Sequence, residues 1–133
     1  MKPFLKKLLR EELISKTDKD ILKITDFVNF AKKELGITDD IKIELAFERT
    51  PELKTTAFYS LDGLIVVYVK DRALIDIMRS IIHELVHHRQ FLDGRLNNPI
   101  KDGADGSEIE NEANAIAGLV IRRYGKLHPE IYE

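Results

Sequence analysis

Ile81-Ile82-His83-Glu84-Leu85-Val86-His87 stands inside a long segment of helical period and reads His-Glu-x-x-His. Around it Leu74, Ile77, Met78, Ile81 and Leu85 recur every three or four residues. That period predicts a helix from about Asp71 to Asp93, capped by Asp71 and stopped by Gly94. Residues four apart on a helix project from one face, one turn above the other. Two neutral imidazoles so placed can each give a nitrogen to a zinc ion at about 2.0–2.1 Å. Glu84 then lies beside the metal, where its carboxylate can take a proton from bound water. The order carries meaning, because exchanging Glu84 with Leu85 would keep the ligands and lose the base. Asp76, Arg79, Ser80, His83, His87 and Gln90 form the polar side of this helix, bordering its buried stripe.

Zinc needs a third protein ligand, and catalysis leaves the fourth position to water. The chain has no cysteine, so the choices are His88, His128 and the carboxylates. His88 points about 100° away from His87 around the helix and cannot join the same ion. The better place is the next helix, which the period of residues 107–121 predicts, with Ile109, Ala113, Ile116, Ala117 and Val120 on one face. Its small alanines let it approach the first helix closely.

His83-Glu84-x-x-His87 followed by Glu110-Asn111-Glu112-Ala113-Asn114-Ala115-Ile116-Ala117 resembles the gluzincin clan of zinc metallopeptidases. Within that clan the chain looks most similar to the compact ImmA/IrrE-like peptidases and the single-domain minigluzincins. Those families carry His-Glu-x-x-His on one helix and Glu-x-x-Ala-(Asp/Asn/Glu) on the next. The resemblance implies a small zincin-like domain and a zinc-dependent endopeptidase. It also implies Glu110 as the third ligand and Asn114 as the group that orients a ligand histidine. It covers about the second half of the chain. An asparagine at 114 can orient an imidazole through its amide oxygen but brings no negative charge, so it raises ligand basicity less than an aspartate would.

Glu110 has a competing role. Ser107-x-x-Glu110 is a capping box, in which the glutamate bonds back to the Ser107 N–H. A cap at Asp105 or Gly106 would leave Glu110 free for the metal. Glu112, Glu108 and His128 stay open as other third ligands.

Composition bounds the rest. A chain of 133 residues reads as a single domain spanning 1–133. The formal net charge of -2 gives no reason to expect nucleic-acid binding. Zero cysteine excludes disulfides and thiolate zinc and fits a reducing, cytoplasmic setting. No run of about 18 apolar residues exists, and the N-terminus lacks the apolar region of a signal peptide. No membrane is expected among the partners.

Phe4 to Ile14 predicts a short basic amphipathic helix docked on its own domain. Thr17 or Asp18 can cap a second helix ending at Leu35 before Gly36, with Ile21, Ile24, Phe27, Val28 and Ala31 inward. Ile41, Ile43, Leu45 and Phe47 alternate with polar residues, which predicts a strand with one buried face. Thr55–Leu61 and Leu64–Lys70 flank Asp62-Gly63 and predict a hairpin with a type I′ turn. The run Leu64–Val69 reads as covered on both faces, and Thr55–Leu61 as an exposed edge able to receive an extended peptide. Gly94 to Gly106 reads as a mobile loop, a lid in its simplest role.

The expectation is an α+β domain with two N-terminal helices, a three-stranded sheet containing a hairpin, and a His-Glu-x-x-His helix packed on a glutamate helix. Zinc on His83, His87 and Glu110, with Glu84 as general base, would hydrolyse peptide bonds in a peptide or protein substrate. Tyr59, Tyr68, Tyr124, His88 and Arg122 are the donors available to a developing oxyanion. The alternative is a non-catalytic peptide- or protein-binding module with a structural zinc site, closed by a fourth side-chain ligand. A di-iron carboxylate site would need a second Glu-x-x-His, which the chain lacks. The tail from Lys126 is a terminus, with blocking of the cleft as its other reading.

Overall fold

A computed structural model describes residues 14–48, 56–61, 63–96 and 107–132, with side chains from residue 20 onward. Among them are three α-helices, a three-stranded mixed sheet and a terminal 3₁₀ turn, an α+β arrangement. In chain order these are α1 (Ile14–Leu35), β1 (Lys42–Ala46), β2 (Ala57–Ser60), β3 (Leu64–Tyr68), α2 (Leu74–Leu92), α3 (Glu108–Leu127) and the turn Pro129–Tyr132. Of the expected helix from Phe4 to Ile14, residues 4–13 lie outside the described residues, as do residues 97–106 of the expected loop from Gly94 to Gly106.

Helix α2 is the hub, since it packs on β2, β3, α1 and α3. Its apolar stripe explains this position: Met78, Ile81, Ile82 and Leu85 are all fully buried. Each such side chain contributes roughly 1.5–3 kcal/mol by leaving water. A half-exposed pair such as Arg89–Asp93 contributes about 1 kcal/mol at most. Apolar packing therefore holds the helix that carries the motif. Helix α1 buries the expected face, with Phe27 and Ala31 completely buried and Phe27 edge-on to Tyr124 of α3.

Both α1 and α2 end as their glycines foretell. Gly36 and Gly94 adopt φ +66° and +76°. Ile37 N–H then donates to Lys32 O at 2.9 Å, and Arg95 N–H to Gln90 O at 2.9 Å. These are the long bonds of a Schellman stop, which needs a residue in the left-handed region.

The starts differ from expectation. Thr17 and Asp18 lie inside α1, which already runs at Ile14; no proline or glycine interrupts that stretch, so the helix passes through them. Asp71 does not cap α2. It sits at φ +56° in the turn after β3, a region that Asp tolerates better than most residues. Ala73 is the cap residue and makes no side-chain cap bond. Arg72 ties the turn to the helix, donating to Tyr68 O at 2.7 Å, Asp76 O at 3.0 Å and Ser80 Oγ at 2.8 Å.

The strand order is β1-β3-β2. β3 pairs parallel with β1 and antiparallel with β2, so β2 is an edge, as its polarity suggested. Ser60 pairs with Leu64, so three residues join the hairpin strands rather than the two of a type I′ turn. Gly63, at φ +87°, closes the loop by donating its N–H to Ser60 O at 2.9 Å. A left-handed glycine at the third loop position is the usual companion of that length. Among the described residues the two faces of β3 are covered unequally. Ile65 and Val67 are fully buried, while Leu64, Val66 and Tyr68 are half-buried, because the helices pack on one side of the sheet.

Among the described residues no helix is long and apolar enough to cross a membrane.

Candidate metal centre

His83 and His87 extend from α2 toward the first turn of α3, where Glu110 meets them. Glu110 Oε1 lies 2.7 Å from His83 Nε2, and Oε2 lies 3.2 Å from His87 Nε2. The two imidazole Nε2 atoms are 3.2 Å apart. Tetrahedral zinc with bonds of about 2.0–2.1 Å spaces its ligand atoms about 3.3 Å apart. The two imidazole nitrogens therefore stand at the spacing of two corners of such a site; one ligand atom from each of His83, His87 and Glu110 lies within 4.8 Å of the others, and the three could hold a metal ion.

Tautomer chemistry tests that fit. Gln90 Nε2 donates to Ile109 O at 3.1 Å and to Glu112 Oε1 at 2.9 Å, two partners that only accept. The amide orientation is thus fixed, and Gln90 Oε1 must be the atom 2.8 Å from His87 Nδ1. An amide oxygen only accepts, so His87 Nδ1 carries the hydrogen. Neutral His87 then presents a bare lone pair at Nε2. A single proton on His83 Nε2 can serve either Glu110 or His87. With His87 neutral and Glu110 ionised, the lone pairs of His87 Nε2 and Glu110 Oε2 face each other, a contact that a cation between them, a proton or a metal ion, would satisfy; two nitrogens and an oxygen are a donor set that suits a metal.

Protonation agrees. Burial holds His83 below its ordinary pKa against the pull of Glu110, which favours the neutral imidazole, the form a ligand must take. Asn114 makes a side-chain hydrogen bond with His83 that favours the protonated ring.

Ser107 does cap α3. Its hydroxyl accepts from Glu110 N–H at 3.1 Å, yet the Glu110 side chain turns to the imidazoles instead of completing the capping box. The expectation that Glu110 needs a cap at Asp105 or Gly106 is therefore corrected: the backbone N–H serves the cap while the carboxylate serves the site. Glu112 is drawn elsewhere, to Arg95 Nη1 at 2.7 Å and Nη2 at 3.1 Å as well as to Gln90. Glu108 is exposed at the start of α3. His128 lies beside Glu130, 3.3 Å away, and stacks on Tyr124.

Glu84 also lines the cleft and is 8% exposed. Burial, and then the charge of Glu110, push its carboxyl up to about 8. The cleft has a volume of about 700 Å³. Its floor is α2 from Asp76 to His87, and Thr56 to Tyr59 of the edge strand region form a wall.

Of the oxyanion donors expected from sequence, Tyr59 alone lines the cleft among the described residues. Its hydroxyl is 2.7 Å from His88 Nδ1, and His88 Nε2 is 2.8 Å from Asp39 Oδ2. The carboxylate takes the Nε2–H, so the Tyr59 hydroxyl donates to Nδ1. His88 thus faces away from the cluster, as its helical angle required. Tyr124 donates to Asp26 at 2.6 Å, and neither Tyr68 nor Arg122 lines the cleft. Arg72, Arg79, Ser80 and Thr56 do line it. Helical spacing from His83 marks Ser80, whereas no sequence signal marks Arg72.

The C-terminal turn does not block the cleft. Ile131 is 3% exposed in the core, and Tyr132 lies over Gly125.

Compared with protein families, with curated proteins and with solved structures, the chain matches none.

Proposed function

We propose that the chain is a zinc-dependent peptidase of the gluzincin kind, with His83, His87 and Glu110 as ligands and Glu84 as general base. One observation carries the reading: two imidazoles from one helix and a carboxylate from the next converge in a cleft where another carboxyl stands buried. Two nitrogens and one oxygen suit zinc, and three protein ligands leave a corner for chemistry. When bound there, zinc supplies Lewis-acid chemistry, polarising a carbonyl and lowering the pKa of water.

The chain's own residues then divide the work. Positive charge beside Glu84 favours its ionised form, which makes it a base at neutral pH. It takes a proton from water as the water oxygen bonds to the peptide carbon. It delivers that proton to the amine as the C–N bond breaks. The β2 edge along the cleft offers main-chain hydrogen bonds to an extended peptide. A peptide or protein is therefore the proposed substrate, and the chain's lack of cysteine suits the cytoplasm.

The test is zinc-loaded protein incubated with a mixed peptide library. Cleavage that vanishes in Glu84→Gln while zinc is retained supports the peptidase. Peptide binding without cleavage by the wild type would point to the non-catalytic module.

A further inference from the structure

Gln90 is completely buried, and a buried amide is costly unless its polar atoms are all paired. It meets that demand with three bonds that together span the interface between α2 and α3. Its oxygen takes the Nδ1–H of His87 at 2.8 Å. Its nitrogen reaches Ile109 O at 3.1 Å and Glu112 Oε1 at 2.9 Å. Ile109 immediately precedes Glu110, and Glu112 follows it by two residues.

From this we infer that Gln90 is a positioning residue for two of the three ligands: it locks His87 in the tautomer that bares Nε2, and it pins the turn of α3 that presents Glu110. Arg95 completes the chain. Its two guanidinium nitrogens grip both oxygens of Glu112 at 2.7 and 3.1 Å, so that carboxylate is held where Gln90 Nε2 can donate to it. The Gln90 amide cannot reverse, because its nitrogen has two acceptors and its oxygen would then confront them. Orientation thus passes from Arg95 through Glu112 and Gln90 to His87, with no charged group of that chain touching the imidazole. Partners that fix a ligand histidine in this way are worth about 10 to 100-fold in metal affinity.

The inference rests on the metal-centre reading but not on peptide hydrolysis. Two measurements test it. Nitrogen-15 NMR of histidine-labelled, metal-free wild type should show His87 protonated at Nδ1 with Nε2 bare. Competition with a chromophoric chelator should show the zinc dissociation constant rising about 10 to 100-fold in Gln90→Leu. Glu112→Gln, which keeps an acceptor oxygen for Gln90 but loses the charge that Arg95 grips, should weaken zinc binding by less than Gln90→Leu does, and a larger loss than in Gln90→Leu would overturn the order of the chain.

A folded Gln90→Leu protein with wild-type zinc affinity would overturn the inference. So would a wild-type His87 protonated at Nε2, a result that stands even if Gln90→Leu fails to fold. Wild type that binds no zinc would bring down the metal reading itself, and with it this inference, before any variant is made.

Discussion

The carboxylate of Glu110 lies 2.7 Å from His83 Nε2 across the contact between α3 and α2. The two residues are 27 positions apart in sequence, and only the packing of those helices brings them together. Zinc binding should therefore depend on each partner alone. His83→Ala and Glu110→Ala should each reduce retained zinc from one equivalent per chain to near zero after desalting. Glu108→Ala, which removes an exposed carboxylate outside the cluster, should still retain zinc. Full retention by Glu110→Ala would assign the third ligand elsewhere.

Glu84 gives the metal-free protein an unusual pH dependence. Its folded pKa is raised from 4.5 to about 8 by burial and by Glu110, so between those values the folded chain holds a proton that the unfolded chain releases. Stability should therefore fall as pH rises through that window, by up to about 1.4 kcal/mol per unit. Urea unfolding in the presence of a chelator, at pH 5, 6, 7 and 8, measures the slope. Glu84→Gln should flatten it and be the more stable protein at pH 8. An unchanged slope in that variant would show that Glu84 is not its source.

Tyr59 ties the edge strand to α2 through His88. Tyr59→Phe leaves the buried His88 Nδ1 without its hydroxyl partner, and an orphaned buried acceptor costs about 1–3 kcal/mol. Chemical denaturation should register that loss while zinc stoichiometry stays at one. A change below about 0.3 kcal/mol would mean that the hydroxyl contributes little to holding the strand.

Much of the site follows from spacing. The four-residue interval between His83 and His87 places both rings on one face, and the interval of three from Ser80 extends that face along the cleft. The left-handed glycines at 36 and 94 end their helices for a reason local to each turn. The features that were hidden depend on what lies across from them. Gln90 reads as one more polar residue at the border of the stripe, until α3 covers it and gives its nitrogen two acceptors. The parallel pairing of β1 with β3 joins residues far apart in sequence, so alternation within each strand could not reveal it. Asp71 has the chemistry of a cap, but the turn leaving β3 needs a left-handed residue, and Asp supplies that instead.

Gly118 offers an independent check of the helix register. It lies within α3, is exposed, and has no heavy atom within 4 Å of a Cβ built on it. Gly118→Ala should stabilise the protein by about 0.5–1 kcal/mol through helix propensity alone. Urea unfolding decides this, and a destabilised variant would place Gly118 against a neighbour rather than in open space.

The most direct test of the central proposal is zinc K-edge X-ray absorption on protein loaded with one equivalent of zinc. The expected spectrum has four nitrogen or oxygen ligands at about 2.0–2.1 Å, with multiple scattering from two imidazoles. A fit requiring three or more imidazoles, or zinc that washes away from the wild type, would contradict a centre built from His83, His87 and Glu110.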